Sequence, residues 1–135
     1  MKVQIDLNDN IEEEEVLNLY RENKWSSAEK PGLLLSALRN SHSLVTARKD
    51  NMLVGVGNAI SDGFLVVYYP HMLVLPCYQG HGIGTKMMEA LKAKYVNFHQ
   101  QLLTADSNAI EFYKSFGFVK AGNTESMWIY NGNEH

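Results

Sequence analysis

The chain has 135 residues, 45% of them hydrophobic and 20% charged, with a net charge of −3. That length fits one domain, residues 1–135, able to bury roughly two thirds of its unfolded surface, and the slight acidity excludes a general nucleic-acid binder, which needs a basic face. The lone Cys77 forms no internal disulfide, no window reaches the ~18 apolar residues of a membrane span, and Met1–Leu7 is too polar for a secretory signal, so a cytoplasmic protein without membrane contact is expected.

Val3, Ile5 and Leu7 alternate with polar neighbours, which predicts a first strand over Lys2–Leu7. Asn8-Asp9-Asn10 can cap a helix from about Ile11 to Asn23, whose apolar face is Ile11, Val16, Leu19 and Tyr20. The acidic run Glu12–Glu15 reads as a solvated helix start favoured by the dipole. Pro31 suits the first turn of a second helix through Leu33, Leu34, Ala37 and Leu38. Ser43–Arg48 and Leu53–Ile60 are strands joined by a turn at Lys49-Asp50-Asn51. The apolar run Phe64–Leu75 follows, interrupted at Tyr69-Pro70. After a helix to about Asn97 come a short strand at Gln101–Thr104 and a helix at Ala109–Phe116 with Gly117 in the C′ position. Phe118–Lys120 and Glu125–Tyr130 read as closing strands, and residues 131–135 as a frayed tail.

The informative stretch lies between Val74 and Met88. An apolar strand feeds a loop with Gly80, Gly82 and Gly84, and a helical pattern follows directly. Such an elbow aims bare backbone N–H groups and the positive end of a helix dipole at one point, which suits a phosphate or pyrophosphate. Two familiar phosphate loops do not fit. A Walker loop ends in Gly-Lys-Ser or Gly-Lys-Thr, whereas Gly84 is followed by Thr85-Lys86, and the dinucleotide fingerprint wants a glycine where Thr85 stands.

The pattern Gln79-x-x-Gly82-x-Gly84 resembles the coenzyme A signature of the GCN5-related N-acetyltransferase (GNAT) superfamily. The segment Asn108–Phe118, with Phe112-Tyr113 and Gly117-Phe118, is similar to that family's later helix. The resemblance implies an α/β (α+β) fold: a mixed, mainly antiparallel central sheet, splayed at its middle, with helices on both faces. It further implies acetyl transfer from acetyl-CoA to a primary amine of a small molecule, by direct attack in a ternary complex. Rival functions are a non-catalytic acyl-CoA-sensing or protein-interaction domain and a protein N-terminal or lysine acetyltransferase. A homodimer is compatible with the resemblance.

On the same basis, the backbone around Met72, Leu73 and Val74 would pair with the pantetheine arm, and an N–H near Leu73 or Val74 would polarise the thioester carbonyl. Gln79, Gly80, His81, Gly82, Ile83, Gly84 and Thr85 would hold the pyrophosphate, with His81 lending its backbone rather than its ring. The resemblance implies that Tyr113 would protonate the leaving thiolate, and its position about 100° around the helix from Phe112 lets it face the cofactor. Asn108 or Asp106, before this helix, is the candidate coenzyme contact, with helix capping by Asp106, Ser107 or Asn108 the preferred reading. The attacking amine needs a base. No acidic residue lies between Gly63 and Tyr78, so His71 is the candidate, with water or Tyr68 and Tyr69 as alternatives. Trp25, Phe64, Tyr68 and Tyr69 are candidates for an aromatic acceptor pocket. The histidines and Cys77 show no metal-ligand spacing.

Overall fold

A computed structural model describes residues 2–132. Its sheet contains β1 (Gln4–Leu7), β2 (Ser43–Lys49), β3 (Met52–Ser61), β4 (Val66–Tyr68), β5 (Met72–Val74) and β6 (Gln100–Leu102). The helices are α1 (Glu13–Glu22), α2 (Pro31–Arg39), α3 (Ile83–Lys94) and α4 (Ile110–Lys114). The order is β1-β2-β3-β4-β6, antiparallel throughout except for the parallel β4–β6 pair. β2 and β3 form a hairpin whose two loop residues, Asp50 and Asn51, have φ of 50° and 68°. Positive φ at both positions is what a tight hairpin turn demands, and Asp and Asn tolerate it best after glycine.

β3 is the axis of the molecule. Leu53–Ala59 are buried without a break. Side chains alternate between faces, so this strand is covered on both; α1 and α3 both pack against it. Along one edge β3 carries two partners in succession, β5 opposite Gly55–Gly57 and β4 opposite Ile60–Ser61. The interruption expected at Tyr69-Pro70 is the break between them. β4 continues the sheet to β6, whereas β5 pairs only with β3, so the sheet splays there.

Several expectations need correction. Asn8-Asp9-Asn10 do not cap α1. The helix starts later, at Glu13, and Glu15 Oε2 instead accepts the Glu12 N–H at 2.9 Å. Asp9 is drawn away by Arg48, which meets Asp9 at 2.9 Å and Glu15 at 2.8 Å. Glu15 is therefore held in an ion-pair cluster, not solvated. α2 buries Leu34 and Leu38 but leaves Leu33 exposed. α3 ends at Lys94 because the Tyr95 ring turns into the core, where its hydroxyl meets Ser43 Oγ at 2.6 Å and His42 Nδ1 at 2.7 Å.

The closing strands at Phe118–Lys120 and Glu125–Tyr130 are absent. That segment joins no ladder among the described residues, and Val119, Met127 and Ile129 are exposed. Strand propensity needs a partner edge to become a strand. The segment is tied down by side chains instead, Ser26 Oγ to Tyr130 Oη at 2.7 Å and Lys30 Nζ donating to Asn131 O at 3.2 Å. Of the expected frayed tail, residues 133–135 lie outside the described residues.

Candidate active site

The elbow leaves β5 through a single 3-10 turn, Pro76–Tyr78, and enters α3 at Ile83. Gly80 and Gly82 have φ of 81° and 80°, a region that costs other residues about 1–2 kcal/mol. A Cβ at either position would meet nothing within 4 Å, so conformation selects glycine there and the surface above the turn is open. No side chain caps α3, and its first turn holds no acidic residue. The N–H groups of Ile83, Gly84 and Thr85 thus stand at an uncapped, dipole-positive helix end. Gly84 has a different task, because its Cβ position lies 3.5 Å from the Phe112 ring of α4. The His81 ring is occupied locally: Nδ1 donates to the carbonyls of Gln79 (3.0 Å) and Tyr78 (3.2 Å).

The register of β5 decides which backbone groups reach the opening beside it. Asn58 N–H bonds to His71 O at 3.1 Å and Leu75 N–H to Val54 O at 2.8 Å, so residues 71, 73 and 75 turn their peptide groups toward β3. The backbone of Leu73 therefore faces the sheet. Met72 and Val74 face away from β3, and Val74 O accepts there from Asn23 Nδ2 (3.1 Å) and Gln79 Nε2 (3.0 Å). The Gln79 side chain thus lies along the strand edge rather than in the elbow.

Next to Met72 opens a cleft of about 660 Å³. His71 and Tyr113, 42 residues apart in sequence, both line it. Asn58 clamps the backbone of His71 from two directions, its side-chain Oδ1 accepting the His71 N–H at 3.1 Å while its own N–H binds His71 O. The ring of His71 sits edge-on to Trp25, with centroids 5.0 Å apart, and its Nδ1 lies 2.7 Å from the hydroxyl of the fully buried Tyr20. Burial pushes the Tyr20 phenol far above its usual range, so it stays protonated. Two tautomers fit this contact: Tyr20 donates to Nδ1, or Nδ1–H donates to Tyr20 Oη and leaves Nε2 as the ring's acceptor.

Tyr113 is half-buried between Phe112 and Phe118, with centroids 5.0 and 6.0 Å away. Burial, and secondarily the charge of Asp106, raise its pKa, which keeps it a proton donor at neutral pH. The helix beneath it ends through Gly117 at φ 94°, whose N–H bonds to Lys114 O at 2.9 Å. No side chain caps α4 or the 3-10 turn before it. The expected capping by Asp106, Ser107 or Asn108 is therefore not what these residues do: Asp106 lines the cleft, and Asn108 is exposed outside it.

Trp25, Tyr68 and Tyr69 line the cleft as the aromatic content suggested, but Phe64 does not and is 86% exposed. Sequence reasoning missed four contributors. Tyr20 read only as a core residue; Asn58 carried no signal inside an apolar strand; Trp128 and Tyr130 read as strand positions. Among the described residues no group of His, Cys, Asp and Glu could hold a metal ion, and no helix is long and apolar enough to cross a membrane.

A splayed sheet, a glycine elbow opening a helix and a cleft beside the splay together define an acyltransferase-type α+β domain. Residues 9–128 match the acetyltransferase (GNAT) domain family, and the chain belongs to it. Solved structures similar to it include a GNAT-family acetyltransferase from Streptococcus pneumoniae TIGR4, with TM-score 0.83, 28% identity and coverage of 96% of this chain and 98% of that one. Aminoglycoside N-acetyltransferase AAC(6')-Iy, solved in complex with CoA, shares the fold at TM-score 0.70 and 14% identity, covering 96% and 94%. Histone acetyltransferase TAP1 from Glycine max is 34% identical over 98 residues, 63% of this chain and 42% of that protein. The chain spans less than half the length of the curated relatives it matches.

Proposed function

We propose that this domain transfers an acetyl group from acetyl-CoA to the primary amine of a small molecule, by direct attack while both are bound. The observation that carries the reading is the succession of three features: the outward-facing peptide of Met72 and N–H of Val74 on β5, the open glycine elbow and the uncapped start of α3, with Tyr113 and His71 lining the cleft beside Met72. The track fits acetyl-CoA, since an extended arm can add to a strand edge and a diphosphate suits bare N–H groups. Bound there, acetyl-CoA supplies the activated acyl group. A structural neighbour of the same fold was solved with CoA.

Each residue then has a definable task. Gly80–Thr85 hold the diphosphate through peptide N–H groups, and Gly80 and Gly82 admit it by lacking side chains. Val74 aligns the arm. Met72 presents its peptide N–H toward the carbonyl oxygen, where negative charge develops during attack. His71, with Nδ1–H on Tyr20 Oη, accepts the amine proton at Nε2; the resulting imidazolium keeps that same bond. Tyr113, which burial holds protonated, gives its proton to the departing thiolate; the transfer is uphill because the phenol is a weaker acid than the thiol, and the phenolate regains a proton from solvent once the thiol has left.

Calorimetry with acetyl-CoA and thiol release with a panel of amines test the reading. Tyr113→Phe should keep acetyl-CoA binding and lower kcat by on the order of a hundredfold. Failure of the parent protein to bind acetyl-CoA would remove the proposal. Binding without turnover of any amine would make this a sensing domain.

A further inference from the structure

We infer that the cleft beyond His71 is an acceptor subsite for a primary amine carried on one flat aromatic body with no second charge. The inference rests on the acetyl-transfer reading for the fate of the amine, but not for its binding. Trp25, Tyr68, Tyr69, Trp128 and Tyr130 supply the walls. Trp128 and Tyr130 stack with centroids 4.5 Å apart and an angle of 8°, and Trp128 is still 71% exposed. An exposed indole already ordered by a stacked neighbour is apolar surface available to a ligand ring.

The charge of the cleft argues against a polyamine. Asp106 is its single carboxylate among the described residues, so a polyamine would find one counter-charge for several ammonium groups. Two hydroxyls of the cleft are already engaged, Ser26 Oγ with Tyr130 Oη at 2.7 Å and Tyr69 Oη donating to Gln101 Oε1 at 2.7 Å; those of Ser27, Tyr68, Thr104 and Ser126 also line it, so glucosamine is the amine that competes with the aromatic class in the test below. The largest side chains of the walls are aromatic. Such walls attract one ammonium group by cation–π contact and an attached ring by stacking. The Ser26–Tyr130 bond also makes the last segment the outer wall, so Trp128 sets acceptor choice without touching the cofactor track.

The chain has two tryptophans, Trp25 and Trp128, and both line this cleft, so its intrinsic fluorescence reads binding directly. Titration of the full chain with 2-phenylethylamine should give a saturable change at roughly tenfold lower concentration than spermidine or glucosamine. Trp128→Ala, at an exposed position, should weaken 2-phenylethylamine roughly tenfold by the remaining signal. It should raise that amine's KM in thiol release by a similar factor and leave the KM for acetyl-CoA unchanged. Tighter binding of spermidine or glucosamine, or an unchanged affinity in Trp128→Ala, would overturn the inference. If 2-phenylethylamine binds as expected but no amine releases thiol, the transfer reading fails and the subsite stands.

Discussion

The two ends of the candidate site are built from different material. The cofactor end, from β5 through the elbow to α3, is backbone: peptide groups turned outward by a strand register and bared by glycines at φ near 80°. The proposed acceptor end is side chains, brought from the turn after α1, β4, the segment leading into α4 and the final segment. Backbone donors suit a ligand that never changes, because any residue supplies an N–H if the dihedral angles are right. Side-chain walls can be replaced one at a time without disturbing the fold, which suits the variable partner of the reaction. The same division separates strain from packing. Gly80 and Gly82 are required by conformation, whereas Gly55 is required by contact: a Cβ there would lie 2.8 Å from Met87 Sδ and 3.2 Å from Leu73 O.

The division can be broken at either end. The largest effect is expected for Gly82→Val, which places a β-branched residue in the left-handed region at the cap of α3. Acetyl-CoA affinity measured by calorimetry should fall about a hundredfold, the equivalent of roughly two charge-assisted hydrogen bonds, while 2-phenylethylamine fluorescence titration should be little changed. Loss of both ligands together would show that the two ends are one cooperative unit. Gly55→Ala should destabilise by about 1–3 kcal/mol through overpacking between β3, β5 and α3, visible as a lower denaturation midpoint. An unchanged midpoint would mean that α3 shifts freely on the sheet.

Tyr20→Phe tests the acceptor end from behind. Removing the phenol oxygen should lower kcat about tenfold with acetyl-CoA affinity preserved. An unchanged kcat with a lowered denaturation midpoint would assign Tyr20 to packing alone. Arg48→Met should have the smallest effect, about 1–2 kcal/mol of stability, because its pairs with Asp9 and Glu15 are only partly buried. Hydrogen bonds from Arg48 are the main cause holding both carboxyls below their ordinary values, so the stability they contribute is complete at neutral pH. It declines as pH falls below about 4.5 and is lost once both folded-state values are passed. In Arg48→Met that acid-side slope should flatten.

The legible parts of the molecule are those whose signals are local. The β2–β3 hairpin, the Pro31 helix start, the break at Tyr69-Pro70, the elbow and the Gly117 helix stop each follow from a dihedral constraint on one or two residues. The illegible parts depend on competition at a distance. Asp9 was a sound cap until Arg48, 39 residues on, claimed it. Glu125–Tyr130 had strand composition but is held by side chains and joins no strand edge, and His71 acquired its orientation from Tyr20 and Asn58, neither of which carries a recognisable motif.

Local sequence thus determined the elbow, because a glycine's freedom and a helix's unpaired N–H groups belong to the chain wherever it folds. Tertiary structure alone decided which peptide groups of β5 face outward, what Tyr113 and His71 share, and which rings line the acceptor cleft. Those follow from strand register and from packing between segments up to a hundred residues apart, such as Ser26 and Tyr130. Register and packing are set by the whole set of buried surfaces competing at once, and no short stretch of residues contains that information.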